Sequence, residues 1–473
     1  MDYFAGVDIG TSSVKALALG PGGKTLGAYR QAYPAHTDTT GRHEEDPEVI
    51  FEATLSVLRS LLSSLPGQLP ACVSFSAAMH GLLALDDGGK PLSPLITWAD
   101  TRAAPEAESF RGTEAAREIY RLTGTPIHPM SPLVKLRWLR KAQPDVFARA
   151  ARFVSIKEYV WYRLFGTYEV DRSIASATGL FDTQAGRWCA PALEAAGIDE
   201  RRLSEPVAVT FRRESPVFGS AFVIGAGDGC LANLGTGVVS PGEAAVTIGT
   251  SGAVRIVTGD WGPDPEERLF EYWLTEGAYV KGGAVNNGGN LLDWFSGLTG
   301  EPLDSALDSA FALPDGSQGL LFLPYLYGER APMWDAGARG AFVGLRAYHG
   351  KAHLLRAVTE GIGYSLYESL RLLEPIHTVY ASGGFTRSGA WVQQLADTFG
   401  RTVCLTEEDD ASATGAAFLG MLALGVLPGL SALPVRAGQT YRPRPERTTY
   451  HQRNYALYQR LYPMLRPIFH DLD

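Results

Sequence analysis

A single short pattern occurs twice along the chain, and it constrains the fold more than any other feature. Asp8-Ile9-Gly10-Thr11-Ser12-Ser13 stands at the start, and Thr247-Ile248-Gly249-Thr250-Ser251-Gly252 returns near the middle. Each copy follows an apolar run (Tyr3 to Val7; Ala244 to Val246) and precedes another (Val14 to Leu19; Ala253 to Val257). That order reads as strand, tight turn, strand, with small residues at the turn. Such turns present backbone N–H groups and hydroxyls, donors that suit phosphate oxygens. One copy alone reads as an ordinary hairpin. Two copies predict a nucleotide held between two related halves.

At 473 residues the chain exceeds what one core supports, so two or three domains are expected. No apolar run reaches the roughly 18 residues of a membrane-spanning helix. The first residues run straight into a strand, without a basic segment and apolar core of a signal peptide, so the expected compartment is the cytoplasm. Cys72, Cys189, Cys230 and Cys404 are far apart and are expected to be reduced and mostly buried. A net charge of −9 argues against nucleic acid or an anionic membrane as partner, while leaving room for a local basic pocket. His349 and His353 have an HxxxH spacing, but Gly350 breaks it and no carboxylate lies between them. A loop followed by a helix start is expected there, and any divalent metal is expected to arrive with a nucleotide.

Short apolar runs alternate with helical periodicity throughout, which predicts α/β domains. Helices are expected over 45–65 (ended by Pro66-Gly67), 115–122, 132–142, 152–165, 353–373, 390–399, 411–424 and 455–469. Strands are expected over 71–75, 82–85, 222–226, 378–382 and 402–405. Gly282 to Phe295 opens with glycines and asparagines and turns helical, and Leu320 to Leu326 reads as strand or loop. The helix 411–424 is built of small residues and can approach a ligand or another backbone closely. The helix 455–469 either packs on the second domain or forms a homodimer interface. The domain boundary falls near 240, after a Gly-rich tract that follows Asp228.

Asp228 follows a strand and stands between two glycines, a common setting for a catalytic base, although Gly-Asp-Gly is also turn chemistry. Gly383-Gly384 followed by Phe385-Thr386-Arg387-Ser388, and Asn286-Asn287-Gly288-Gly289, each open a helix whose first turn favours anions. His80, Trp98, Asp100 and Arg102 together make a polyol pocket, with the indole over C–H groups and the charged groups on hydroxyls. A buried, satisfied histidine and a structural Asp–Arg pair are the plainer readings.

In this order the motifs resemble the FGGY family of carbohydrate kinases over nearly the whole chain. Met130 to Leu139 is similar to the family's first signature, departing at Ala142. Gly340 to Leu345 with His353 to Glu360 is similar to the second, departing at Thr359. The resemblance implies two actin-like, ribonuclease H-like domains facing across a cleft, here 1–240 and 241–473, and ATP-dependent phosphorylation of a sugar or polyol. Segments around Met79-His80, Trp98-Ala99-Asp100, Gly124 to Pro132, Asn286 to Gly289 and Gly328 to Trp334 look most like the family's gluconate kinases. Met79-His80-Gly81 is shared with its xylulose kinases, which are the alternative.

The resemblance further implies Asp228 as general base and Asp8 holding Mg²⁺. Thr11, Ser12, Ser13 and Lys15 would grip phosphates from one domain, and Thr250 with Ser251 from the other. Gly289, Asp293, Gly384 and Ser388 match nucleotide-contacting positions. Met79, His80, Trp98, Asp100, Met130 and Asp228 would surround the sugar, with Arg102 or His80 meeting a substrate carboxylate. The partners implied are ATP and a small sugar or sugar acid. Two rival readings are an actin-like ATPase module that moves partners and a sugar sensor without catalysis.

Overall fold

The structure is a computed structural model that describes residues 3–472 except 66, 68, 216, 217, 315, 407–409, 435 and 436. Two compact units emerge. One comprises Met1–Val239, Val257–Val280 and Asp410–Val435; the other comprises Ser240–Ile256, Lys281–Asp409 and Arg436–Asp473. Two tracts beyond residue 240 thus pack with the first unit, so the units interleave along the chain instead of following one cut.

The first unit is organised on a six-stranded sheet in the order Arg212–Glu214, Ala221–Gly227, Pro70–Ala77, Tyr3–Ile9, Ser13–Leu19, Thr25–Ala32. The three central strands are parallel, and Tyr3–Ile9 continues into an antiparallel meander. Tyr3–Ile9 is buried along its whole length, as expected of a strand covered on both faces. One covering helix is Pro47–Ser64, started by Asp46, whose side chain accepts from the Glu48 and Val49 N–H groups, with Pro47 in the first turn. Its apolar stripe (Ile50, Ala53, Val57, Leu58, Leu61) enters the core. The expected stop at Pro66 lies outside the described residues.

The other cover explains why a late tract returns. Helix Ala411–Ala423 lies against helix Asp228–Thr236 and strand Tyr3–Ile9 at backbone contact distance. A Cβ on Gly415 would stand 1.9 Å from Leu231 O, one on Gly235 1.8 Å from Ala411 O, and one on Gly6 1.9 Å from Ala413 O. The small residues of 411–424 therefore serve backbone-to-backbone packing, one of the two uses expected.

The second unit repeats the arrangement. Glu243–Ile248 and Gly252–Thr258 form an antiparallel hairpin, and Glu243–Ile248 runs parallel to Thr378–Ser382, which runs parallel to Thr402–Thr406. Ala437–Tyr441 closes that side antiparallel. Helix Lys351–Leu372 is buried over most of its length. The last helix, Pro445–Asp471, is longer than the periodicity predicts and packs Tyr455, Tyr458 and Phe469 around Leu323, Tyr325 and Tyr364.

Two expectations change. Residues 152–165 are not one helix: Arg152–Val154 is a strand paired with Leu83–Leu85, and Ser155 with Glu158 forms a capping box that starts Ile156–Phe165. The glycine-rich tract after Asp228 is largely the helix Asp228–Thr236. The glycine- and asparagine-rich opening of 282–295 includes the end of strand Ala278–Val285, and the helical part is Asn290–Thr299. His349 and His353 do sit at a loop and helix start, where their Nδ1 atoms accept from the N–H groups of Arg346 and Gly350. All four cysteines are unpaired and buried. No helix among the described residues is long and apolar enough to cross a membrane.

Candidate active site

In the first unit, Asp8 and Asp228 are brought to one edge of the sheet by register. Ile9 and Gly227 both pair with Ala77, so the ends of three parallel strands coincide, and each aspartate lies within one residue of such an end. Ser76, opposite Asp8, donates its hydroxyl to Asp8 Oδ1 at 2.6 Å. Asp228 opens its helix, and its Oδ1 takes the Gly229 N–H at 2.6 Å. Asp8 is 8% exposed. Burial, then the charges of Asp228 and Asp410, raise its pKa to about 7 against the Ser76 hydrogen bond and Lys15. Asp410, at the N-terminus of helix Ala411–Ala423, is the residue that sequence reading missed. Its carboxyl is also raised by burial, and it pairs with Lys15 Nζ at 3.2 Å.

Lys15 stands directly opposite Asp8 on the hairpin, and Arg30 stands opposite Lys15 on the next strand. Arg30 Nε donates to Ser13 Oγ at 3.0 Å, so the Ser13 hydroxyl is already engaged. Ser12 is exposed, and Thr11 is half-buried with its hydroxyl accepting from Trp98 Nε1 at 2.9 Å.

Thr11, Met79 and Trp98 line one small cavity together with Gly10, Glu45 and Thr97. Met79 lies over the glycines that flank Asp228: a Cβ on Gly227 would meet Met79 Sδ at 2.6 Å. His80 is 8% exposed and holds a left-handed backbone (φ 67°), a conformation that costs a non-glycine residue about 1–3 kcal/mol. Its Nδ1 pairs with Ala177 O at 2.7 Å, and its carbonyl accepts from Lys135 Nζ at 2.6 Å. The same ammonium reaches Met130 O at 2.6 Å, tying the His80 and Met130 backbones together. Lys135 is 1% exposed, and burial lowers its pKa to about 7.

Asp100 and Arg102 take the plainer of the two readings. Arg102 Nε bridges both Asp100 oxygens at 3.1 and 3.0 Å, and its Nη2 reaches Asp100 at 2.7 Å and Glu44 at 2.6 Å. The guanidinium also lies 4.7 Å from the Trp138 ring centre. Two carboxylates already meet its charge, and neither Asp100 nor Arg102 lines the cavity of Thr11, Met79 and Trp98. Of the two residues expected to meet a substrate carboxylate, Arg102 is the one consumed within the protein.

In the second unit, Thr250, Gly289, Asp293, Gly384 and Ser388 come together in one cavity of about 570 Å³, within the usual range for a small-molecule site. The helix Asn290–Thr299 docks on the turn because the Gly289 and Asn290 N–H groups donate to Gly249 O (2.7 Å) and Thr250 O (3.2 Å). Ser388 caps Gly389–Phe399, its hydroxyl accepting from the Trp391 N–H. Leu292, Leu303, Leu307, Phe385 and Arg387 complete the walls and were not legible as site residues. Two apolar leucine-bearing helices opposite a glycine-rich turn form a slot for a flat ring, and the N–H-rich turn beside it suits phosphate.

Comparison with known proteins agrees with this geometry. The model described as the FGGY family of carbohydrate kinases, N-terminal domain, matches residues 3–235, and that of the C-terminal domain matches residues 244–424. A gluconokinase of Bacillus subtilis (strain 168) is 39% identical over 470 residues, covering 94% of this chain and 92% of its own. The structures of a gluconate kinase and of a ligand-bound xylulose kinase, both from Lactobacillus acidophilus, each superpose with a TM-score of 0.95 at 32% identity, covering 100% of both chains. The two-unit α/β architecture is thus the actin-like fold of these kinases.

Proposed function

The chain belongs to the FGGY family of carbohydrate kinases, and from that premise we propose that it transfers the ATP γ-phosphoryl group to the terminal (C6) hydroxyl of D-gluconate. The observation that carries the sugar assignment is the 39% identity to a gluconokinase along nearly the full length of both chains. D-xylulose is the second reading, favoured by the equally close superposition on a xylulose kinase.

Asp228 acts as general base. The new bond joins the sugar oxygen to the γ-phosphorus, the bond from that phosphorus to the β–γ bridging oxygen breaks, and the hydroxyl proton passes to the Asp228 carboxylate. Little pKa tuning is needed, because the nucleophile's charge develops late in a loose transition state. Gly229 N–H on Oδ1 fixes the plane of that carboxylate. Positioning and charge stabilisation supply most of the acceleration.

The donor set fits a divalent cation. Asp8, Asp228 and Asp410 are hard oxygen donors, and the charges of Asp228 and Asp410 add to burial in raising the proton affinity of Asp8, an effect that added positive charge relieves. Asp8 would hold Mg²⁺, directly or through water, and the ion when bound would neutralise charge on the phosphates. Lys15, with Thr11, Ser12, Ser13 and Arg30 around the first turn, serves the phosphates from the first unit. Thr250 and Ser251, at the turn beside the second unit's cavity, present hydroxyls suited to phosphate. Adenine takes the slot between Leu292, Leu303 and Gly384. Met79, Trp98, His80 and Met130 form the sugar side, with Asp100 and Arg102 as its frame and His80 as the remaining candidate to meet the substrate carboxylate. The cytoplasm, where ATP is supplied, is the proposed compartment.

ADP release with Mg-ATP, measured against D-gluconate, D-xylulose and a no-sugar control, tests the reading. Preference for gluconate is expected. Preference for xylulose overturns the substrate, turnover without sugar favours the ATPase module, and no turnover with any sugar favours the sensor.

A further inference from the structure

Glu44 and Glu45 are neighbours on strand His43–Glu45, so their side chains leave on opposite faces. Glu44 is fully used, reaching Arg102 Nη2 at 2.6 Å. Glu45 is not. It is 2% exposed and lines the cavity of Thr11, Met79 and Trp98, whose free space of about 10 Å³ takes a single hydroxyl-sized group, yet its Oε1 takes no hydrogen bond from any described residue. No cation among the described residues forms an ion pair with it, and burial alone pushes its pKa up to about 8.

Its neighbours in the same unit are treated differently. Buried Glu158 takes the Ser155 N–H at 2.6 Å, and Glu169 takes Trp161 Nε1 at 2.7 Å together with Arg213. A buried polar group without a partner is costly, and native proteins retain one where a ligand completes it. A carboxyl that both donates and accepts matches a hydroxyl, which does the same, with the Trp98 indole beside it for C–H groups. Nothing in the fold's own hydrogen bonding asks for an acid at this position.

We propose that Glu45 is a substrate-binding residue whose carboxyl hydrogen-bonds a hydroxyl of the sugar acid in the cavity beside Trp98. The proposal rests on the gluconate reading and adds a contact that neither the motifs nor the polyol-pocket reading assigns. The buried carboxyl donates one hydrogen bond and accepts another, so an amide of the same size serves in its place.

The test compares Glu45→Met and Glu45→Gln with the wild-type chain in steady-state kinetics and thermal unfolding. Glu45→Met should raise the gluconate KM about tenfold or more while leaving the ATP KM unchanged and kcat within about threefold. Its Tm should equal or exceed that of wild type, because an unpartnered buried carboxyl is removed. Glu45→Gln should keep the gluconate KM within about threefold. An unchanged KM in Glu45→Met, or a Glu45→Met chain that loses stability or fails to fold, overturns the proposal, since Glu45 would then serve the fold. A Glu45→Gln variant as weak as Glu45→Met overturns the hydrogen-bond assignment. If the wild type prefers xylulose, a raised xylulose KM in Glu45→Met keeps the contact while the gluconate reading falls, and an unchanged one removes both.

Discussion

The two glycine-hydroxyl turns share a frame and differ in charge. In the first, Asp8 stands opposite Ser76 on the neighbouring parallel strand, and the serine hydroxyl donates to it at 2.6 Å. In the second, Thr247 stands opposite Ser382 in the same relation, and their hydroxyls meet at 3.0 Å. The first site adds Asp228 and Asp410 and becomes acidic. The second adds Arg255, whose Nη2 donates to Thr247 Oγ1 at 2.9 Å, and stays without a carboxylate at that position. One residue type at a duplicated position thus separates a site suited to a cation and a base from one suited to a nucleotide. The turn supplies the geometry, and the residue before it supplies the chemistry.

Substitutions that erase one side of this contrast should have the largest effects. Asp228→Asn is expected to lower kcat by about 10³-fold while leaving ATP and gluconate binding largely intact by calorimetry. Near-normal turnover would remove the base role. Asp8→Asn, which brings the first turn closer to the second, should cost about 10²-fold in activity and weaken Mg²⁺ dependence in a metal titration.

The wild-type chain adds a pH signature. Asp8 must lose its proton to take a cation, so apparent Mg²⁺ affinity should rise with pH up to about 7 and flatten above it, a slope that Asp8→Asn abolishes. The same raised pKa makes ionisation costly in the metal-free fold. Asp8 therefore contributes most stability below its unfolded value, and that contribution is lost as pH rises toward about 7.

Packing divides the units as well. Gly415→Ala in the first unit drives a Cβ to 1.9 Å from Leu231 O and should cost about 1–3 kcal/mol, lowering Tm by several degrees. Gly297→Ala in the second has open space within a helix and should gain about 0.5–1 kcal/mol. Equal shifts in the two would contradict the close-packing account. Thr250→Val should raise the ATP KM about tenfold with the gluconate KM unchanged. The smallest contrast is Ser76→Ala against Ser382→Ala. The first removes a bond to a buried carboxylate, worth about 1.5–3 kcal/mol, and should weaken Mg²⁺ binding. The second removes a neutral bond of about 0.5–1.5 kcal/mol and should leave metal binding alone.

Legibility in the sequence followed locality. The hairpins, the strand before Asp228 and the helix Pro132–Ala142 depend on neighbours a few residues away, and their patterns were readable. Thr250, Gly289, Asp293, Gly384 and Ser388, the positions expected to contact a nucleotide, come from three separate segments, and they meet in one cavity. Ordered motifs carried that information, not periodicity. The Asp100–Arg102 pair was harder, because Glu44 completes it from far back in the chain. Arg30 and Asp410 carry no motif of their own. Strand register places the first beside Lys15, and a helix returning from beyond residue 400 places the second.

By itself the sequence determined the duplicated strand–turn–strand frame, the α/β class and the family motifs, because each is written in local spacing and in motifs of fixed order. Only the tertiary structure decided which acids share a field with Asp8, which arginine is spent on its own neighbours, and that the tract 410–435 belongs with the first unit. These depend on distances between segments tens to hundreds of residues apart, set by sheet register and by glycines that let two helices touch backbone to backbone.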